Sequence, residues 1–153
     1  MSSAASLKAF LKEKKARDDE SGRLGGKEEK IKRRLIAIRG LFDSVESWLK
    51  PSVDEGIVKL ERGPYSHSDE QLGELSEERM KAVVGASEVF FGPRTGTIAG
   101  ASARVDMTCG DRTLPMVLLS DRGWHFLVRG PVTRTEPVTE DSFGDALREL
   151  LDG

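Results

Sequence analysis

Six apolar side chains alternate at steps of four and three residues between positions 31 and 49. This is the spacing of an α-helix with one narrow apolar seam, and such a seam must be covered by another element or by another chain. The seam therefore predicts a helix and a second element or chain that packs on its apolar side. Its residues are Ile31, Leu35, Ile38, Phe42, Val45 and Leu49.

The residues that precede and open this seam are strongly charged. Lys8 to Arg34 contains eleven Lys or Arg and six Asp or Glu, and the rest of the chain contains thirteen and twenty. Both signs are interleaved, as in a solvated helix with i,i+4 ion pairs. The sequence thus predicts a charged helical arm at residues 1–50. Three glycines predict a break near residues 21–26, because each costs a helix interior about 1 kcal/mol relative to alanine. Pro51 is expected to end the arm.

Beyond Gly56 the apolar period changes from 3.6 to 2, which indicates strands. Ala101 to Cys109 alternates apolar and polar residues, and Asp121-Arg122-Gly123 supplies a tight turn before Trp124 to Val128. The sequence predicts an antiparallel meander over residues 101–128. Pro115 lies inside its middle strand and has no N–H to donate, so its position should face an edge or a bulge.

The remaining elements are short strands at residues 57–60 and 89–91, a loop, an ambiguous segment and a last helix. Residues 65–75 are polar and predict a loop, while residues 77–84 fit a helix and a strand about equally. Thr139 or Ser142 can cap a C-terminal helix with an apolar stripe. The expected fold class is α+β: the N-terminal helical arm, an antiparallel sheet of about five strands and the C-terminal helix packed on it, with residues 51–153 forming the sheet domain.

Several short motifs in this order resemble a family of small bacterial proteins. They are Gly100-Ala101-Ser102-Ala103-Arg104-Val105-Asp106, the hairpin that leads to Gly123-Trp124, and Glu140-Asp141-Ser142-Phe143. The family pattern is a charged N-terminal helix, a glycine-rich turn, an Arg-Val-Asp strand and a tryptophan strand. The resemblance covers the chain from about residue 28 and implies strands at residues 78–91. The family is uncharacterised, so the resemblance implies no activity and no catalytic residue.

Composition limits the class of protein and the compartment. A chain of 153 residues is long enough for one ordinary domain. The single cysteine, Cys109, excludes an intrachain disulfide framework. The N-terminus lacks the apolar run of a signal peptide, and no stretch has the roughly 20 apolar residues needed to span a bilayer. We expect a cytoplasmic protein without a membrane partner.

The candidate chemical groups do not form a catalytic constellation in the sequence. His67 and His125 are interpreted as lone polar surface residues, and Cys109 as a small buried side chain rather than a nucleophile activated by His125. Asp106 is expected to form a surface pair with Arg104, two positions earlier on its strand, or to bond into a neighbouring loop. The sequence predicts no metal site, no cofactor and no enzyme activity.

One glycine-rich loop carries a cation. Gly92 to Gly100 includes Arg94, and loop amides with an arginine can hold an anion or a nucleotide phosphate. The loop lacks the Gly-Lys-Ser/Thr ending of a P-loop. Anion binding at Arg94 is therefore an alternative hypothesis, beside a plain turning connection between strands.

The leading functional hypothesis is a non-enzymatic interaction protein. The seam from Ile31 to Leu49 would form a coiled-coil-like helix–helix interface, most simply in a homodimer, or with another protein chain. The runner-up is a nucleic-acid-associated protein that uses the basic arm, since lysines and arginines neutralise phosphates. The basic stretches of the arm, at residues 12–17 and 30–34, contain no interleaved aromatic residues that would stack on bases.

Overall fold

The structure is a computed structural model, and it describes residues 7–14, 26–95, 101–119, 122–128 and 130–152. The chain divides into two compact units, Met1–Arg33 and Arg34–Gly153. In chain order the described elements are α1 at residues 7–14, and then α2 (Gly26–Asp54), β1 (Val58–Asp69), β2 (Gly73–Val84), β3 (Ser87–Arg94), β4 (Ala101–Cys109), β5 (Arg112–Leu119), β6 (Gly123–Val128), β7 (Arg134–Pro137) and α3 (Glu140–Asp152).

The first unit contains α1 and the first turns of α2. All eight residues of α1 are exposed. At the start of α2, Glu29 and Arg33 form an i,i+4 ion pair with an Nε–Oε1 distance of 3.4 Å. Of the predicted break at residues 21–26, only Gly26 lies within the described residues, and α2 begins there.

The second unit is an α+β domain with a seven-stranded antiparallel sheet, which confirms the expected fold class. The strands lie in the order β1-β2-β3-β4-β5-β6-β7, so every strand pairs with its neighbours in sequence. Short turns suffice for such a meander. The sheet has seven strands rather than the predicted five, because Gly73–Val84 forms a strand and Arg134–Pro137 adds another at the other edge.

The β1–β2 hairpin corrects one sequence prediction and decides a segment that the sequence left open. Its strands pair over twelve residues, from Val58↔Val84 to Asp69↔Gly73, so residues 65–75 are strand except for a short turn at residues 70–72. The segment at 77–84 is strand, as the resemblance implied. The loop prediction failed because this strand carries few apolar residues. Its inward side chains are held by polar contacts instead.

Helix α2 continues through Pro51 and ends at Asp54, so the prediction that Pro51 ends it is wrong. Proline removes a backbone donor and disfavours a helical conformation in the residue before it. Here Leu49 is buried and Val53 packs on the core beyond the proline. That packing offsets the local cost of Pro51 in the last turn.

One face of the sheet carries the core, and both α2 and α3 pack on it. The ring of Phe42 on α2 meets Phe91 edge-on at a centroid distance of 6.5 Å, and Phe143 on α3 lies 6.2 Å from Phe91. Trp48 contacts Phe143 between the two helices at 5.4 Å. The aromatic cluster therefore joins the helices to the sheet. Around it lie Ile38, Leu41, Val45, Leu49, Val58, Met80, Ala82, Val89, Val105, Met107, Met116, Phe126, Ala146 and Leu150.

The predicted meander of β4, β5 and β6 is confirmed, and Pro115 lies where its pairing changes. β5 pairs with β4 along its length, but its pairing with β6 begins only at Met116↔Phe126. Residues 112–115 of β5 therefore have no β6 partner. The missing N–H of Pro115 agrees with an end of pairing at this position.

The turn that closes the β1–β2 hairpin is held by Asp69, and this leads to a pH prediction. Its carboxylate accepts the backbone N–H groups of Leu72 (2.9 Å) and Gln71 (2.7 Å). The hydrogen bond from Leu72 lowers the pKa of Asp69 below its ordinary value of 3.8, and that from Gln71 adds to the effect. Gly73 follows with φ of 80°, which glycine adopts without strain.

Because the folded pKa of Asp69 is depressed, its contribution is complete above pH 3.8 and is lost as the pH falls through the folded pKa. The carboxylate is partly exposed, so we expect less than about 1 kcal/mol. Asp69→Asn keeps an acceptor without a charge. Urea unfolding at pH 6 and at pH 3 should show a smaller pH effect in this variant than in the wild type. Equal pH effects in both proteins would contradict the assignment.

Candidate interaction site

Four of the six residues of the predicted seam are core. Ile38, Phe42 and Val45 are fully buried in their own domain, and Leu49 is 7% exposed. The sheet therefore covers these four side chains, where the sequence predicted a second chain. Of the other seam residues, Ile31 and Leu35 are half-buried. Leu41, which the four-three pattern did not include, is also buried.

A buried charge network fixes α2 to the sheet at Arg34. The Nε of Arg34 donates to Oε2 of Glu77 at 2.7 Å, and its Nη2 donates to the backbone oxygen of Arg94 at 2.9 Å. The side chains of Arg34 and Glu77 are 7% and 1% exposed. Since β3 pairs with β2 only up to Met80↔Phe91, Arg34 joins the two strands beyond their paired region.

The same network continues to His67, which is not a lone surface residue. Its Nε2 lies 2.5 Å from Oε1 of Glu77, and the His67 side chain is 12% exposed. Tyr65 stacks on the imidazole at 4.9 Å, and the Arg79 guanidinium lies 5.9 Å from the centre of the tyrosine ring. These contacts fix the polar side chains near the turn of the β1–β2 hairpin.

A second arginine joins the hairpin to α2 at its surface. Arg62 donates to Asp43 at 2.7 Å and to Glu78 at 2.8 Å, and it reaches Glu46 at 3.1 Å. Burial lowers the pKa of Arg62, but the hydrogen bonds to Asp43 and Glu78 outweigh that effect and hold it above its ordinary value. The cation therefore stays charged and packs 5.7 Å from the centre of the Phe42 ring.

The predicted Arg104–Asp106 pair is present. Arg104 donates through Nε and Nη2 to the two carboxylate oxygens at 2.7 and 3.2 Å. Asp106 is 5% exposed, so the pair is less superficial than the sequence indicated. Arg94, the candidate anion ligand, is 60% exposed and lies 3.5 Å from the same carboxylate. Asp106 thus supplies a negative partner to both Arg94 and Arg104. Of the predicted anion-binding loop at residues 92–100, residues 96–100 lie outside the described residues.

Cys109 and His125 do not form a pair. Cys109 packs against the core face of β4. His125 is opposite Val117, which in turn is opposite Arg104, and these positions alternate with the core-facing residues. His125 is 7% exposed, so its interpretation as a surface residue is wrong. Its Nδ1 lies 3.1 Å from the backbone oxygen of Gly123, so the imidazole makes a hydrogen bond within its own strand.

A cleft of about 500 Å³ lies where β5 and β6 separate and α3 crosses them. Its apolar lining includes Leu114, Phe126 and Ala146, and its ionisable lining among the described residues consists of Arg104 and three carboxylates. Sequence reasoning missed this site, because its residues come from five elements. The carboxylates are Glu136, Asp145 and Glu149.

The start of α3 is well fixed at this cleft. The Thr139 hydroxyl accepts the backbone N–H of Ser142 at 3.1 Å, and the Ser142 hydroxyl accepts the N–H of Thr139 at 2.8 Å. This reciprocal arrangement satisfies two N–H groups at the helix start. At the other end of the cleft, Arg112 donates to the backbone oxygen of Glu149 at 3.3 Å. The carboxylates of α3 are thus presented on a helix held at both ends.

An apolar groove of about 370 Å³ lies between α2 and the β5–β6 end of the sheet. Small residues of α2 form one wall, and Trp48 and Trp124 lie beside them. The indole N–H of Trp124 donates to the backbone oxygen of Ala37 at 3.2 Å. The groove has no ionisable lining residue, and it includes Ala37, Gly40, Leu41, Ser44, Leu118 and Val138.

Helix α1 carries an exposed apolar stripe. Leu7, Phe10 and Leu11 are 58%, 55% and 52% exposed. Their i, i+3, i+4 spacing puts them on one face of the helix. Lys8 and Lys12 follow the same i,i+4 spacing beside that stripe. The result is a short amphipathic cationic helix whose apolar face is largely open to solvent.

Comparison of the chain with protein-family models, curated proteins and solved structures finds no match. Within the described part of the chain, no group of three or more His, Cys, Asp or Glu side chains is placed to hold a metal ion. No described helix is both long and apolar enough to cross a membrane.

Proposed function

We propose that the protein is a non-enzymatic interaction protein that self-associates through its N-terminal helical arm. The observation that carries the proposal is the exposed stripe of Leu7, Phe10 and Leu11 on α1. Isolated apolar residues on a surface are ordinary, but three on one helical face favour an interaction site. Since four of the six seam residues are core, the interface belongs to α1 and not to the whole seam.

Charge supports a second copy as the partner. Residues 1–33 contain ten Lys or Arg and six Asp or Glu, a balance of +4, and residues 34–153 contain fourteen and twenty, a balance of -6. The arm of one copy therefore meets a body of opposite sign in another copy. Complementary charge raises association rates and orients the encounter.

Light scattering of the full chain over a range of concentrations tests this proposal. The wild type should form a dimer, and the variant Leu7→Ser, Phe10→Ser, Leu11→Ser should have a dissociation constant at least about 100-fold higher, because each apolar side chain removed from water contributes about 1.5–3 kcal/mol. Ile57→Ser with Val132→Ser is the matched control, since it removes exposed apolar groups from the body.

A wild type that stays monomeric at high concentration would overturn self-association. A control pair that dissociates the dimer as strongly as the α1 variant would assign the interface to the body instead. A complex with nucleic acid that dissociates steeply with added salt, in a protein that is otherwise monomeric, would favour the basic arm as a nucleic-acid ligand.

A further inference from the structure

The cleft at α3 combines an apolar lining with carboxylates, and this chemistry suits one kind of ligand. Leu114, Phe126 and Ala146 supply apolar surface, and among the described residues that line the cleft Arg104 is the one cation against three carboxylates. An apolar ligand would leave the carboxylates unpaired, and a small cation would leave the apolar lining unused. The cleft therefore fits a segment with apolar side chains on one face and cations beside them.

Helix α1 has this composition and also the right spacing. Asp145 and Glu149 lie one helical turn apart on α3, as do Lys8 and Lys12 on α1. Two helices packed side by side can therefore set two ammonium groups opposite two carboxylates. Leu7 and Leu11 lie on the face of α1 next to these lysines, where they can enter the apolar part of the cleft.

We propose that the α3 cleft of one copy receives α1 of a second copy, so that two chains exchange their N-terminal helices about a two-fold axis. This exchange rests on the self-association proposed above, and it specifies which surfaces of the two copies are in contact. The apolar groove beside Trp48 and Trp124 is a weaker candidate, because it offers no carboxylate to the lysines of α1. A two-fold exchange uses both arms and both clefts, and it closes the assembly at two copies.

Charge reversal on each side, followed by mixing, tests the exchange. Lys8→Glu with Lys12→Glu, and separately Asp145→Lys with Glu149→Lys, should each raise the dissociation constant at least about tenfold, since like charges face each other in these homodimers. When the two variants are mixed, the reversed arm meets the reversed cleft and the native arm meets the native cleft. The mixture should dimerise within about threefold of the wild-type constant.

Glu70→Lys with Glu74→Lys is the matched control, because it makes the same charge change at the exposed turn of the β1–β2 hairpin. It should leave the dissociation constant near the wild-type value. Light scattering measures all five samples, and thermal unfolding checks that each variant is folded. A wild-type dimer that both reversals leave intact overturns the cleft contact but not self-association.

Other results also decide the question. Dissociation by both reversals without recovery in the mixture overturns the exchange between copies, and it would agree with an arm bound to the cleft of its own chain. Equal dissociation by the hairpin control would show a general charge effect instead of a specific contact. A monomeric wild type overturns both the exchange and the self-association on which it rests.

Discussion

Replacement of Glu77 by glutamine is expected to lower the free energy of unfolding by about 3–5 kcal/mol, the usual result of removing one partner from a buried ion pair. Arg34 would remain 7% exposed without a negative charge beside it. Glutamine has nearly the shape of glutamate, so no cavity contributes. For a chain of this length, the loss corresponds to a fall of roughly 10 °C in melting temperature.

Two further variants separate a buried charge effect from a local packing effect. Glu88→Gln removes a carboxylate that is 49% exposed and lies 3.6 Å from Lys81. It should change the stability by less than about 0.5 kcal/mol. Arg34→Met with Glu77→Leu removes both charges and should be more stable than Glu77→Gln alone, because neither ion is then left buried without its partner.

Urea unfolding followed by circular dichroism measures each free energy. If Glu77→Gln stays within about 0.5 kcal/mol of the wild type, the buried Arg34–Glu77 pair does not hold the domain together, and the role assigned to it here would be incorrect. If the double variant is the least stable of all, packing and not charge dominates at this position.

Elements of this fold that are held by apolar contacts could be predicted from the sequence, and those held by polar contacts could not. The meander from β4 to β6 could be predicted because its strands are short, β4 alternates apolar and polar residues, and glycines mark the turns. The part of the β1–β2 hairpin at residues 65–75 could not be predicted from the sequence. There Tyr65, His67 and Glu77 are ordered by hydrogen bonds and stacking, which leave no apolar period in the sequence.

The functional surfaces show the same limit. Arg34 lies within a run of three basic residues, and the sequence treated all of them as solvated. A local signal existed, since Arg34 is four positions before the buried Ile38 and so lies on the apolar side of α2. Its partner Glu77 is 43 positions away, and no local pattern identifies it. The α3 cleft likewise depends on which strands separate, and that becomes known only in three dimensions.

Replacement of Phe42 by alanine tests whether the middle of the seam is core, and it should cost about 3–5 kcal/mol. Phe42 is fully buried, contacts the Phe91 ring edge-on and lies beneath the Arg62 guanidinium. Its removal leaves a cavity that the packed rings cannot fill. Leu35→Ala, at a half-buried position of the same helix, should cost only about 1–2 kcal/mol.

Protein concentration distinguishes a core position from an interface position. Both substitutions are best made in the Leu7→Ser, Phe10→Ser, Leu11→Ser background, in which association through α1 is removed. If Phe42 is core, its loss appears as the same change in unfolding free energy at every protein concentration. If the seam binds a second chain, the stability of the parent rises with concentration and that of Phe42→Ala does not, because association stabilises only the folded chains that can bind. The burial of Phe42 beside Phe91 predicts the same change at every concentration. A concentration-dependent stability of the parent would show instead that the whole seam is an interface.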